Sequence, residues 1–196
     1  MAKLYFYFAS MNAGKSALLL QTAFNYRERG MEVSLWTAAV DNRPAFGAIN
    51  SRIGLTSDAY RFDETTNIAA RVLEEAADRG PTDPPLACVL VDESQFLTSQ
   101  QVWQLARLSD RHDIPVICYG LRTDFQGQLF PGSAVLLGIA DKLVEMKAVC
   151  HCGRKATMNQ RVGEHGEPVT DGAQTEIGGN ERYVAVCRKH FVQPRG

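Results

Sequence analysis

Three groups of residues in this chain have the types and spacing to do chemistry. The first is Ala9-Ser10-Met11-Asn12-Ala13-Gly14-Lys15-Ser16, which follows the phosphate-loop pattern G-x-x-x-x-G-K-[ST] with alanine in place of the opening glycine. In such a loop the backbone wraps close to an anion, and successive N–H groups at a helix N-terminus point at it. Lys15 is a point charge for the β- and γ-phosphates, and Ser16 offers a hydroxyl to Mg²⁺. Alanine disfavours positive φ, so Ala9 is expected to keep an ordinary backbone. A G-K-S run alone can arise by chance. Its place between a buried strand and an amphipathic helix makes it a nucleotide site.

The second group is Val89-Leu90-Val91-Asp92-Glu93, an apolar strand ending in two acids. Phosphate-loop enzymes set an acidic group beside the metal in this way. Strand alternation sends neighbours to opposite faces, so the two acids are expected to differ in role. One faces the metal's water shell and the other the nucleophile; a helix cap or solvated turn is the competing reading of either alone.

The third group is Cys150-His151-Cys152 with Cys187-Arg188-Lys189-His190. Three thiolates and one imidazole, two from each tight turn, make a closed tetrahedral set of the structural zinc type. His151 competes for ligation, but it lies between two ligands. A closed site has no position for a catalytic water, so its expected role is to staple a small unit with little core. Cys88 and Cys118 lie in apolar runs and read as core residues.

Hydrophobic periodicity supplies the elements that position these groups. Strands are expected over 3–9, 33–38, 86–91, 114–119 and 142–147, and helices over 16–29, 67–79 and 98–110. Residues 133–139 read as helix or loop, and 41–63 as loop-rich. Helices alternating with short buried strands imply an α/β domain with a mainly parallel sheet. The texture changes at Cys150, dividing the chain into a nucleotide-binding domain (1–149) and a zinc-binding domain (150–196). Net charge is −1 and no basic run occurs, which argues against bulk nucleic-acid or anionic-membrane binding. No apolar run approaches the roughly 18–20 residues of a membrane span, and no secretory signal is visible. A cytoplasmic address is expected.

Together these stretches resemble the type II, zinc-containing thymidine kinases. The resemblance runs from Leu4 to His190, on FASMNAGKS, Asp41-Asn42-Arg43, LVDESQF, YGLRTDFQG, the C-x-C and GGNERYVAVCRKH. It implies a P-loop, RecA-like parallel sheet flanked by helices, with a small C-terminal zinc-binding domain. It implies transfer of the γ-phosphate of ATP to the 5′-hydroxyl of thymidine, with Mg²⁺, in deoxynucleoside salvage. Glu93 falls on the family's catalytic base. Asp92, Glu93, Ser94 and Gln95 fall on its second ATP-contacting segment, beside the loop at 9–16. Cys150, Cys152, Cys187 and His190 fall on its zinc ligands, where some members carry a fourth cysteine at the histidine position. Phe125 matches an aromatic residue that stacks on the base, and Ile177-Gly178-Gly179-Asn180 a loop that covers the nucleoside with main-chain bonds. Tyr183 supports that lid or bonds to the base, Met11 and Phe96 line the pocket, and Asp41 and Arg43 act at the metal or the transferring phosphoryl group. A homotetramer inhibited by thymidine triphosphate is also implied, while the charge argument leads to no nucleic-acid or membrane partner being expected.

Two alternatives stay open. A kinase of another nucleoside would have the same loop and acid pair. A DNA-dependent ATPase gripping nucleic acid with a zinc ribbon would share both metal and nucleotide motifs, although the near-zero charge disfavours it.

Overall fold

The computed structural model describes residues 1–39, 47–174 and 182–193. Asp41, Asn42, Arg43, Ile177, Gly178, Gly179 and Asn180 lie outside the described residues. Strand β1 (Leu4–Ala9) leads into α1 (Lys15–Arg27), followed by β2 (Glu32–Ala38). Three short strands come next: β3 (Ala48–Asn50), β4 (Thr56–Asp58) and β5 (Tyr60–Phe62). Helix α2 (Ile68–Ala77), β6 (Leu86–Val91), a 3-10 turn (Ser94–Phe96), α3 (Ser99–His112) and β7 (Val116–Leu121) continue the alternation. After α4 (Pro131–Ile139) and β8 (Lys142–Glu145) come β9 (Met158–Val162), β10 (Pro168–Val169), β11 (Tyr183–Val186) and α5 (Arg188–Val192).

The main sheet has the order β5-β2-β6-β7-β1-β8, and every pairing in it is parallel. Both faces are covered, which is why its central strands read as continuous apolar runs. In β6, Cys88 and Leu90 join Leu19, Leu20 and Ala23 of α1 in one buried cluster. Val89 and Val91 join Val72 of α2 and Val102 and Leu105 of α3 in the other. Asn67 caps α2 by accepting the Ala70 N–H at 3.1 Å. Thr98 and Gln101 close a reciprocal capping box on α3.

Within 41–63, β3 and β4 pair as a hairpin and β5 extends the sheet beside β2. Three-residue strands are too short for a period to show in sequence. Strand β7 begins at Val116, two residues later than expected, because Pro115 has no N–H to donate. The Pro115 carbonyl instead accepts Val89 N–H at 2.9 Å. Pro131 in the first turn makes 131–139 a helix.

A second sheet, β10-β9-β11, is antiparallel. Among the described residues, the buried cluster beside it is formed by Cys150, Ala156, Val186 and Cys187, with Met158 and Phe191 partly buried against it. Among the described residues, no helix is long and apolar enough to cross a membrane. In the main sheet, β1 and β6 flank β7, so their C-terminal ends meet at the sheet edge where ligands of parallel sheets bind.

Candidate active site and metal cluster

The phosphate loop leaves β1 at Ala9, which keeps the ordinary strand backbone expected of it. Asn12 (φ 63) and Gly14 (φ 81) then turn left-handed, and the glycine adopts that conformation without a Cβ penalty. Gly14 is the N-cap of α1 and has no side chain to bond the first amides; no acid lies in the first turn. Those amides and the helix dipole suit an anion. Lys15 is only 8% exposed and donates to the Ser10 carbonyl at 3.0 Å. Burial lowers its pKa, and the charges of Glu93 and Asp92 act in the opposite direction.

Asp92 is buried at the end of β6 and accepts the Glu93 backbone N–H at 3.0 Å. Burial and then the neighbouring Glu93 charge raise its pKa to about 7, against hydrogen bonds from Ser16 and the Glu93 backbone and the Lys15 charge. Ser16 and Asp92 thus meet as an all-oxygen pair. That chemistry fits a hard cation such as Mg²⁺.

Glu93 is half-buried and left-handed, with φ 52. The strand ends at Val91, so alternation does not extend to Glu93; the turn itself separates the two acids. Gln95 Nε2 donates to Glu93 Oε2 at 2.5 Å. Ser94 and Gln95 are both buried.

Strand β9 reaches this loop from the second sheet. Its Asn159 Oδ1 accepts Met11 N–H at 2.6 Å, and its Nδ2 donates to the Thr123 carbonyl at 3.2 Å. Arg161, two residues on, lies over the Phe125 ring at 3.7 Å. Its Nε and Nη2 donate to the Tyr183 hydroxyl at 2.9 and 2.5 Å, and Nη2 also to the Ala173 carbonyl at 2.9 Å. Arg161 therefore joins Phe125 and Tyr183, two residues expected at the nucleoside. Asp124 folds the turn that carries Phe125, accepting the Gln126 and Gln128 N–H groups at 2.9 Å each. Phe96 packs edge-on against Phe130 at 5.8 Å, and Met11 is half-buried.

Sequence reasoning missed Asn159 and Arg161. Their signal is the alternation in β9, MNQRV, whose two buried positions are both polar. An inward-facing Asn and Arg in an otherwise small sheet need partners.

Cys150, Cys152, Cys187 and His190 bring their ligand atoms within 4.8 Å of one another. Cys152 Sγ and Cys187 Sγ are 3.8 Å apart, and His190 Nδ1 lies 3.3 Å from Cys150 Sγ and 3.6 Å from Cys187 Sγ. A tetrahedron with Zn–S near 2.3 Å and Zn–N near 2.05 Å has edges of about 3.8 Å (S–S) and 3.5 Å (S–N). The cluster fits zinc. Burial alone would push the Cys150 thiol up, but hydrogen bonds from the Cys152 backbone, the His190 ring and the Cys187 backbone outweigh it and lower its pKa to about 5. His151 is exposed and stacks on His190 at 4.3 Å, outside the four.

Comparison with known proteins shows the family. The family model described as thymidine kinase matches residues 2–191. A thymidine kinase of Novosphingobium aromaticivorans is 65% identical over 196 residues, covering all of both chains. One of Zymomonas mobilis is 58% identical, covering 98% of this chain and 97% of its own. One of Legionella pneumophila is 56% identical, covering 97% and 90%. With its phosphate loop, acid pair and cysteine–histidine cluster in place, this chain belongs to the thymidine kinase family.

Proposed function

We propose that the phosphate loop and the Asp92–Glu93 turn carry out transfer of the γ-phosphate of ATP to the 5′-hydroxyl of thymidine, giving ADP and thymidine 5′-monophosphate for deoxynucleoside salvage. The observation that carries this reading is the buried Lys15 at the head of α1, with the charges of Asp92 and Glu93 acting on it.

The residues at 9–16 hold the phosphates through backbone N–H groups, and Lys15 offsets charge on the transferring group. Residues 92–95 form the second nucleotide-contacting segment. Ser16 and Asp92 would hold Mg²⁺, which when bound adds positive charge beside the phosphates. Glu93 takes the 5′-hydroxyl proton as that oxygen bonds to the γ-phosphorus. The bond from the γ-phosphorus to the bridging oxygen breaks, and ADP leaves with its electron pair. Phe125 stacks on the thymine, Tyr183 and Arg161 hold that wall of the pocket, and Ile177, Gly178, Gly179 and Asn180 cover the nucleoside. Asp41 and Arg43 act at the phosphoryl group.

Cys150, Cys152, Cys187 and His190 hold a structural zinc ion, and the chain divides at 149/150 into nucleotide-binding and zinc-binding domains. The family reading adds a cytoplasmic homotetramer inhibited by thymidine triphosphate, without nucleic-acid or membrane partners.

A nucleoside panel with radiolabelled ATP tests this function. Thymidine is expected to accept label faster than deoxycytidine or deoxyguanosine. Transfer to another nucleoside in preference to thymidine, or ATP hydrolysis stimulated by DNA alone, would overturn it.

A further inference from the structure

Glu93 is a non-glycine residue in left-handed backbone, at the mouth of a turn, with a side chain that must point one way to act. Gln95 is what holds it. Gln95 is 1% exposed, and its Oε1 accepts the Leu121 N–H at 3.0 Å. A backbone N–H can only donate, so this bond decides which end of the amide is oxygen. The NH₂ end then faces Glu93 and donates to Oε2 at 2.5 Å.

The anchor is itself fixed. Leu121 ends β7, and its carbonyl accepts the Ser133 hydroxyl of α4 at 2.5 Å. Space around the amide is closed. A Cβ on Gly120 would come within 2.6 Å of Ser94 Oγ and 2.9 Å of Gln95 Oε1. A Cβ on Gly132 would come within 2.6 Å of the Leu97 carbonyl and 2.7 Å of the Ser94 carbonyl. Two glycines thus let β7 and α4 press directly onto the turn that carries Glu93.

We propose that Gln95 is the positioning residue for Glu93: its buried amide, locked at one end by the Leu121 backbone, aims the carboxylate at the hydroxyl of the nucleoside. Supporting groups of this kind set how accurately a reacting side chain is held. The inference rests on Glu93 being the base. A purely structural role, tying the 3-10 turn to β7, is the competing account, and two variants separate the two. Gln95→Glu keeps an oxygen for Leu121 N–H and sets a second carboxyl against Glu93 where the NH₂ donor was. Gln95→Met keeps the length and removes both bonds.

The test is a double-mutant cycle with Glu93→Gln, reading kcat and both KM values and checking folding by thermal melting. For each Gln95 variant kcat should fall roughly 10-fold or more, with KM for thymidine moving less than about 3-fold; in the Glu93→Gln background Gln95→Met should change kcat less than about 2-fold. An equal fall in both backgrounds, or no fall, overturns the proposal. Gln95→Glu decides the matter if Gln95→Met does not fold, and failure of both to fold assigns the amide to the fold and overturns it as well. Wild-type turnover in Glu93→Gln alone would instead overturn the base assignment, a separate outcome.

Discussion

The Asn159 side-chain carbonyl accepts the backbone N–H of Met11 at 2.6 Å, across 148 positions of chain. One strand of the small sheet thereby sets the start of the phosphate loop, just before the left-handed Asn12. Asn159→Ala should destabilise the protein by about 1–3 kcal/mol, because a buried carbonyl and a half-buried N–H lose their partner. It should also weaken ATP binding several-fold by loosening the loop. Urea unfolding and titration with a fluorescent ATP analogue measure the two effects. Unchanged ATP affinity would show that the loop holds its shape without this bond.

What could be read from sequence was whatever is local. The phosphate loop, the strand ending in Asp92-Glu93 and the two ligand pairs each lie within a few consecutive residues, so their types and spacing carry the signal. The parallel sheet was legible because its strands are apolar on both faces. Asn159 was not, because its partners Met11 and Thr123 are far off in sequence and only the fold brings them together. The left-handed turn at Glu93 was hidden for another reason: a strand pattern predicts alternation, and nothing in LVDESQF marks where the strand stops. Strand β5 was hidden by length.

Lys15 is the cation that shares the buried site with Asp92 and Glu93. Losing a buried charged contact to a phosphate costs about 2–5 kcal/mol, so Lys15→Ala should lower kcat/KM for ATP by about 10²–10³-fold and weaken ATP binding. Glu93→Gln separates binding from chemistry. It keeps shape and polarity, so ATP affinity should hold while kcat falls by roughly 10²–10⁴-fold, the range for a lost general base. Steady-state kinetics with equilibrium nucleotide binding distinguishes the two variants. Intact ATP affinity in Lys15→Ala would count against its phosphate role.

The cysteines should divide into two classes. Cys88 and Cys118 are fully buried in the main core, and burial pushes the Cys88 thiol up to about 12. Cys150, Cys152 and Cys187 belong to a small cluster whose geometry fits zinc, and a bound ion would supply much of its cohesion. Native protein should carry about one zinc per chain and show little rapid thiol labelling. Treatment with a strong chelator should expose Cys150, Cys152 and Cys187, leaving Cys88 and Cys118 protected until denaturant is added. ATP affinity should fall on chelation, since β9 carries Asn159. Folded, metal-free protein with full ATP affinity would contradict both the zinc assignment and the coupling.

The nucleoside wall should respond separately from the ATP site. The Tyr183 hydroxyl accepts two bonds from Arg161, whose guanidinium lies on the Phe125 ring. Tyr183→Phe removes the acceptor but leaves the ring, so Arg161 and the wall loosen without a cavity. Hydrogen bonds to charged groups contribute about 1.5–3 kcal/mol, and partial exposure reduces this, so KM for thymidine should rise by roughly 3–10-fold. Arg161→Met should raise it further, because the Ala173 carbonyl and the Phe125 face also lose their partner. KM for ATP should stay near wild type in both. Varying each substrate against saturating levels of the other reads this directly. A rise confined to ATP would place Arg161 and Tyr183 on the nucleotide side of the site and remove them from the nucleoside wall.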